Sequence, residues 1–237
     1  MKIRHLQLTF DLPLPIYRIA AFRSAMIEWA GREHHLLHNH LNAEHDPDRD
    51  RGGFTYRYPL IQYRVNRGRA AIVALNEGAD MLGDILAKRQ WEILLDNKST
   101  PLRIADLQMR EHTLAYTETP QNYMLRNWIA LNQQNYREYI QIEDMEERAQ
   151  RLEKLLAAQI ITFAKYMDWQ IPEHFTANIH QFMPNIVSYH GNKLIAFDVR
   201  FDVPLWLPNG IGLGKAVSHG FGVVEKMRSR GYDAPNH

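Results

Sequence analysis

The chain has 237 residues, with 28 Lys and Arg against 27 Asp and Glu and no cysteine. Its length admits one large domain or two of about 115 residues, and a formal charge of +1 argues against a polybasic protein that holds nucleic acid through charge alone. The absence of cysteine excludes disulfides, a thiol nucleophile and thiolate-bound zinc.

The first ten residues alternate in polarity and contain no long apolar run, so they read as neither a signal peptide nor a membrane anchor. The expected location is the cytoplasm. Leu6, Leu8 and Phe10 alternate with Gln7, Thr9 and Asp11, which predicts a half-buried strand halted by Pro13 and Pro15. Ile19, Phe22, Met26 and Trp29 then recur at helical spacing, with Gly31 placed to end the helix. Residues 32–53 are polar and rich in His, Asp and Arg, and read as a long loop or a short helix plus loop. A hairpin follows: aromatic and β-branched residues at 56–65, turn chemistry at Asn66-Arg67-Gly68, and a return strand over 70–75. A short amphipathic helix is predicted over 76–88, from Met81, Leu82, Ile85 and Leu86, and one or two strands over 102–119. This half therefore reads β-α-β-β-α-β, the order of a ferredoxin-like lobe.

Thr119-Pro120-Gln121-Asn122 is the candidate boundary, giving domains 1–118 and 119–237. The second half is expected to open with an aromatic-rich helix over 123–139. A second helix over 143–166 turns Leu152, Leu155, Leu156, Ile160 and Phe163 to one side. Strands dominate 178–227, with a hairpin turn at Tyr189-His190-Gly191-Asn192-Lys193. The expected class is α+β: two tandem ferredoxin-like (RRM-like) lobes, the second degenerate, with a glycine-rich loop near the C-terminus.

That loop is Asn209-Gly-Ile-Gly-Leu-Gly-Lys-Ala-Val-Ser-His-Gly-Phe-Gly222, with five glycines in fourteen residues. Glycine lets consecutive N–H groups turn toward one anion, and Lys215 adds charge. The spacing fits no nucleotide motif. Gly214-Lys215 is followed by Ala216 rather than Ser or Thr, and the position a P-loop glycine would occupy is Asn209. Only fifteen residues follow Gly222, too few for a dinucleotide-binding unit. A glycine-rich hairpin or bulged strand pair without a ligand is the competing reading.

Of twelve histidines, five fall between His34 and His45. Two imidazoles can serve as base and acid in one reaction, and attack of an RNA 2′-hydroxyl on its adjacent phosphate needs such a pair and no metal. Metal ligation is the rival use, since His34 and His38 are four residues apart, but the His-Glu-x-x-His pattern is absent. The tripeptide His38-Asn39-His40 matches the His-Asn-His nucleases in letters alone, because their three residues are dispersed over a ββα unit. Aromatic and basic residues interleave at Tyr56-Arg57-Tyr58 and Tyr63-Arg64, a pattern able to stack bases and hold phosphates or, more plainly, to form a tyrosine-rich core strand.

Taken together, His38-Asn39-His40, Tyr56-Arg-Tyr-Pro-Leu-Ile-Gln-Tyr63 and Gly212-Leu-Gly-Lys-Ala-Val-Ser-His-Gly-Phe-Gly222 resemble the CRISPR-associated repeat endoribonucleases. The likeness is to the subgroup with separate N- and C-terminal ferredoxin-like domains, and it spans nearly the whole chain. It implies metal-independent cleavage of precursor CRISPR RNA within its repeats by 2′-hydroxyl attack, with 2′,3′-cyclic phosphate and 5′-hydroxyl ends and no cofactor. It also implies His38 and His40 as catalytic residues, and an RNA contact through Gly210, Gly212, Gly214, Lys215, Ser218, His219, Gly220 and Gly222. Arg57 and Arg64 join this set as candidate phosphate contacts. His219 departs from the family, which often has arginine there, and a partly protonated imidazole would hold phosphate in a pH-dependent way. The implied partner is CRISPR repeat RNA, with a second copy of the chain or effector-complex proteins as further partners and no membrane. A non-cleaving CRISPR RNA-binding protein of the same fold and a metal-dependent nuclease stay open as alternatives.

Overall fold

The computed structural model describes residues 1–31, 34–38, 58–88 and 91–227. The first lobe runs β1 (Lys2–Pro13), a 3₁₀ turn (Ile16–Arg18), α1 (Ile19–Ala30), α2 (His35–His38), β2 (Ile61–Asn66), β3 (Arg69–Leu75), α3 (Glu77–Lys88), β4 (Glu92–Leu95), β5 (Lys98–Pro101) and β6 (Ile104–Thr113). Four strands form an antiparallel sheet in the order β2-β3-β1-β6, so the first and third strands of the β-α-β-β-α-β series lie at the centre. The β4–β5 hairpin, inserted before the last strand, is absent from the sequence-based expectation. Its Asp96 and Asn97 both take positive φ, as a tight two-residue hairpin turn requires. Gly31 does end α1, with its N–H donating to the Ile27 carbonyl.

Leu6, Leu8, Phe10, Ile61, Tyr63 and Ile72 alternate onto one face of this sheet and are buried with Phe22, Met26, Leu82 and Ile85 of α1 and α3. The opposite face is also covered, because Ile3, Val73 and Leu75 belong to the core of the second lobe.

The second lobe runs β7 (Ala115–Trp128), α4 (Gln133–Tyr139), α5 (Met145–Tyr166), β8 (Asn178–Tyr189), β9 (Asn192–Trp206), a 3₁₀ turn (Val217–His219) and β10 (Val223–Lys226). Its sheet order is β10-β7-β9-β8, the same permutation as in the first lobe. Both lobes thus share one topology, and the second is degenerate at its second crossover, where the glycine-rich stretch and a single 3₁₀ turn replace a helix.

The helix expected over 123–139 is corrected. Tyr123, Leu125 and Trp128 are buried while Arg126 is exposed, so the first part is a central strand paired with β9 and β10. Only Gln133–Tyr139 is helical, started by the Asn132 side chain, which accepts from the Asn135 N–H at 2.6 Å. Aromatic residues at 123, 128, 136 and 139 imitate helical spacing across the strand–helix junction. Residues 119–122 lie inside β7.

Leu152, Leu156, Ile160 and Phe163 of α5 pack with Tyr123, Leu125, Phe197, Val199 and Phe201. Burying each large apolar side chain contributes about 2 kcal/mol. Tyr58 of the first lobe meets Phe163 at 5.3 Å between ring centroids, so the two lobes share one apolar seam.

Candidate nucleic-acid interface

The glycine-rich segment lies at this seam, and its backbone is largely committed to its own fold. The N–H groups of Gly210, Leu213, Lys215, His219, Gly220 and Gly222 donate to the carbonyls of Val224, Gly222, Ile129, Ala216, Val217 and Asn127, at 2.7 to 3.2 Å. Single β-bridges join Lys215 to Ile129 and Gly212 to Val223. Six amides are therefore unavailable to a phosphate, which corrects the expectation of an open backbone cradle. Gly212 and Gly222 are buried.

The glycines serve close packing. A Cβ on Gly222, where φ is +64°, would lie 1.8 Å from the Leu213 carbonyl oxygen. On Gly220, at φ +85°, it would lie 2.7 Å from Ile19 Cδ1 and 3.2 Å from the Tyr63 carbonyl oxygen, both in the first lobe. Glycine is thus what lets the 3₁₀ turn press against β2 and α1.

The RNA-binding candidates divide by burial. Lys215 is exposed at the edge of a cleft of about 650 Å³ that it shares with Tyr58, Asn132, Gln159, Thr162 and Tyr189. Partial burial lowers its ammonium below the usual range. Ser218 is turned inward, its Oγ 3.1 Å from His219 Nδ1, so the expected hydroxyl donor to phosphate faces the protein. His219 lines a second cleft, of about 500 Å³. Desolvation, reinforced by Arg23 and His190, pushes its imidazole down to about 4. It is neutral at neutral pH, so the partly protonated phosphate ligand expected from sequence is not what this environment produces.

Arg64 is also corrected from a surface contact to a buried link. It is 6 % exposed, its Nη2 donates to Gln62 Oε1, and burial brings its guanidinium down to about 10. Gln62 Nε2 donates to Tyr58 Oη at 2.9 Å, and Tyr58 Oη donates to the Gly212 carbonyl at 3.0 Å. A hydrogen-bonded chain thus runs from β2 of the first lobe to the glycine-rich segment of the second. Desolvation raises the Tyr58 phenol to about 12, keeping it a donor. Tyr63 on β2 is fully buried in the first lobe's core, and Tyr58, ahead of β2, is buried in the core shared with the second lobe with only 8 % exposure at the cleft. His38 is the last residue of α2, with its side chain outside the described part of the structure; His40, Tyr56 and Arg57 lie outside the described residues.

Sequence reasoning missed Tyr17, Tyr189 and His190. The second cleft lies between the lobes, with Tyr17 from the 3₁₀ turn before α1 on one side and Tyr189, His190 and His219 on the other. Tyr189 packs edge-on against His190 at 4.3 Å, His219 at 5.2 Å and Phe221 at 5.9 Å, and His190 lies 5.4 Å from His219. A Tyr-His pair at a hairpin turn was the available signal, although it is legible only as turn chemistry without its neighbour 29 residues on.

Sequence models of known families decide the membership. The Cas6b N-terminal domain matches residues 1–113 and the Cas6b C-terminal domain matches residues 115–227. The chain belongs to the Cas6b family. Its two matched segments meet at Leu114, between β6 and β7. A crystal structure of Cas6b superposes with a TM-score of 0.81 at 21 % identity, covering 96 % of this chain and all of that one. A second, described as a CRISPR RNA processing endoribonuclease Cas6b, gives 0.73 at 18 % identity with the same coverage. An uncharacterized protein of Methanocaldococcus jannaschii is 39 % identical over 100 residues, 42 % of this chain and 67 % of that protein.

Proposed function

We propose that this Cas6b-family chain cleaves precursor CRISPR RNA within its repeats, without a metal, by intramolecular attack of a 2′-hydroxyl. The observation that carries the reading is the match of both Cas6b domains across residues 1–113 and 115–227. A solved structure of the same fold described as a CRISPR RNA processing endoribonuclease adds support. His38 and His40 are the proposed proton carriers. One takes the 2′-hydroxyl proton as that oxygen bonds to the adjacent phosphorus. The other protonates the departing 5′-oxygen as its bond to phosphorus breaks, leaving a 2′,3′-cyclic phosphate and a 5′-hydroxyl. Lys215, exposed beside a cleft lined by amide and hydroxyl side chains, is the proposed phosphate contact on the second lobe.

The test is cleavage of repeat RNA from the same genome's CRISPR array in excess EDTA, with analysis of the product ends. Full cleavage with cyclic phosphate ends is expected. Loss of activity in EDTA, or unaltered cleavage of an RNA carrying 2′-deoxyribose at the cut site, overturns the mechanism. His38→Ala and His40→Ala should each slow cleavage about 10²- to 10⁴-fold while leaving RNA affinity within a few-fold. Unchanged activity in the double variant would move the chemistry elsewhere.

A further inference from the structure

We infer that the interlobe cleft lined by Tyr17, Tyr189, His190 and His219 is a pocket for one unpaired nucleobase of the bound RNA. The inference rests on the RNA-processing reading above and adds a base site to it. The cleft, of about 500 Å³, has the size of a small-molecule site. Its walls are aromatic: Tyr189 meets His190, His219 and Phe221 edge-to-face within 6 Å, and His190 meets His219 in the same way. Tyr17 projects from the facing lobe at 83 % exposure, a large ring left in water at the rim. A nucleobase is a flat π-system with polar edges, and stacking on such rings is the usual way proteins hold unpaired bases.

The polar groups fit the same ligand. Asn127, Ser188 and the imidazoles of His190 and His219 offer donors and acceptors for a base edge, and among the described residues no carboxylate lines the cleft to repel a phosphate. His219 is held neutral by burial, which favours stacking and base-edge contact over ion pairing. Tyr189 also lines the neighbouring 650 Å³ cleft with Lys215. One wall therefore separates an aromatic compartment from a cationic one, as a nucleotide with its base on one side and its phosphate on the other would use.

The experiment uses the full chain and repeat RNA methylated at every 2′-oxygen, which cannot be cut by 2′-hydroxyl attack. Affinity is measured for RNAs made abasic at each position in turn, with the wild type, Tyr17→Ala, Tyr17→Phe and Tyr189→Ala. One abasic position should weaken the wild type about tenfold. The same position should add little to the loss already caused by Tyr17→Ala, and Tyr17→Phe should restore binding. Tyr17 is exposed, so its variants test the pocket even if Tyr189→Ala fails to fold. Tyr17→Ala binding as tightly as the wild type, or losses that multiply at every abasic position, would overturn the pocket while leaving the RNA reading intact. Absence of wild-type binding to any repeat RNA would overturn both. Nucleoside monophosphates at millimolar concentration should not displace the RNA; displacement that depends on Tyr17 would assign the cleft to a free nucleotide and overturn the assignment to the RNA chain.

Discussion

At the residue scale, burial becomes measurable at Gly222 and His5. Gly222 and Gly191 both have positive φ, but a Cβ at Gly191 meets nothing within 4 Å, whereas at Gly222 it meets the Leu213 carbonyl at 1.8 Å. Gly191→Ala should therefore lose about 1 kcal/mol from conformation alone, and Gly222→Ala about 3 kcal/mol or more through added overpacking; urea unfolding of the two variants gives the comparison. His5 is buried on β1 beside His112, and desolvation pushes its imidazole down to about 4. The unfolded chain binds the proton at about 6.5, so between pH 6.5 and 4 it takes up more protons than the fold does. Stability contributed by neutral His5 is present above that window and lost as pH falls through it. Lowering pH from 7 to 5 should remove about 2 kcal/mol through His5, with a smaller, solvent-screened contribution from the partly exposed His219. His5→Leu should flatten the dependence of thermal midpoint on pH in that range.

At the element scale, α5 is the longest helix among the described residues and packs its apolar stripe into the core common to both lobes. Its start is fixed by Asp144, whose Oδ1 accepts from the N–H groups of Glu146 at 2.8 Å and Glu147 at 2.9 Å. Asp144→Ala should cost about 1 kcal/mol, read by chemical denaturation, and Asp144→Ser should recover most of it. The stripe of Leu152, Leu156, Ile160 and Phe163 was readable from spacing because every fourth residue faces one core. The neighbouring β7 was not. Its period-two burial at Tyr123 and Leu125 depends on pairing with Phe201 and Val199, more than seventy residues away in sequence, and a local window mixes those aromatics with the ones of α4.

At the scale of the whole molecule, the Arg64–Gln62–Tyr58–Gly212 chain is a polar tie across an apolar seam. Tyr58→Phe keeps the ring packed on Phe163 but removes the donor to Gly212 and the acceptor for Gln62, and should cost about 1 to 3 kcal/mol. The first lobe's topology was legible because hydrophobic period and turn residues agreed from Leu6 to Leu75. The glycine-rich stretch was legible as special in composition, but not in its bonding. Two of the carbonyls that accept its amides, those of Asn127 and Ile129, sit at the end of β7 and just beyond it, some ninety residues earlier. The candidate site shows the same division. Lys215 was singled out by its charge, whereas Tyr17 and His190 become neighbours of His219 only after two lobes have folded and met.

Where the first lobe has α3, the second has a coil whose amides are satisfied partly within itself and partly by Asn127 and Ile129, and this changes what the crossover can present. A helix is a cylinder about 10 Å across that shows solvent one face. The coil instead borders a compartment on each flank, with residues 213–216 on one and 219–221 on the other. Only the 3₁₀ turn lies between the two groups, and Gly220 seats that turn on the first lobe without clearance. The two clefts therefore have one short turn as their common edge, and a substitution that lifts this turn off the first lobe reshapes the lining of both.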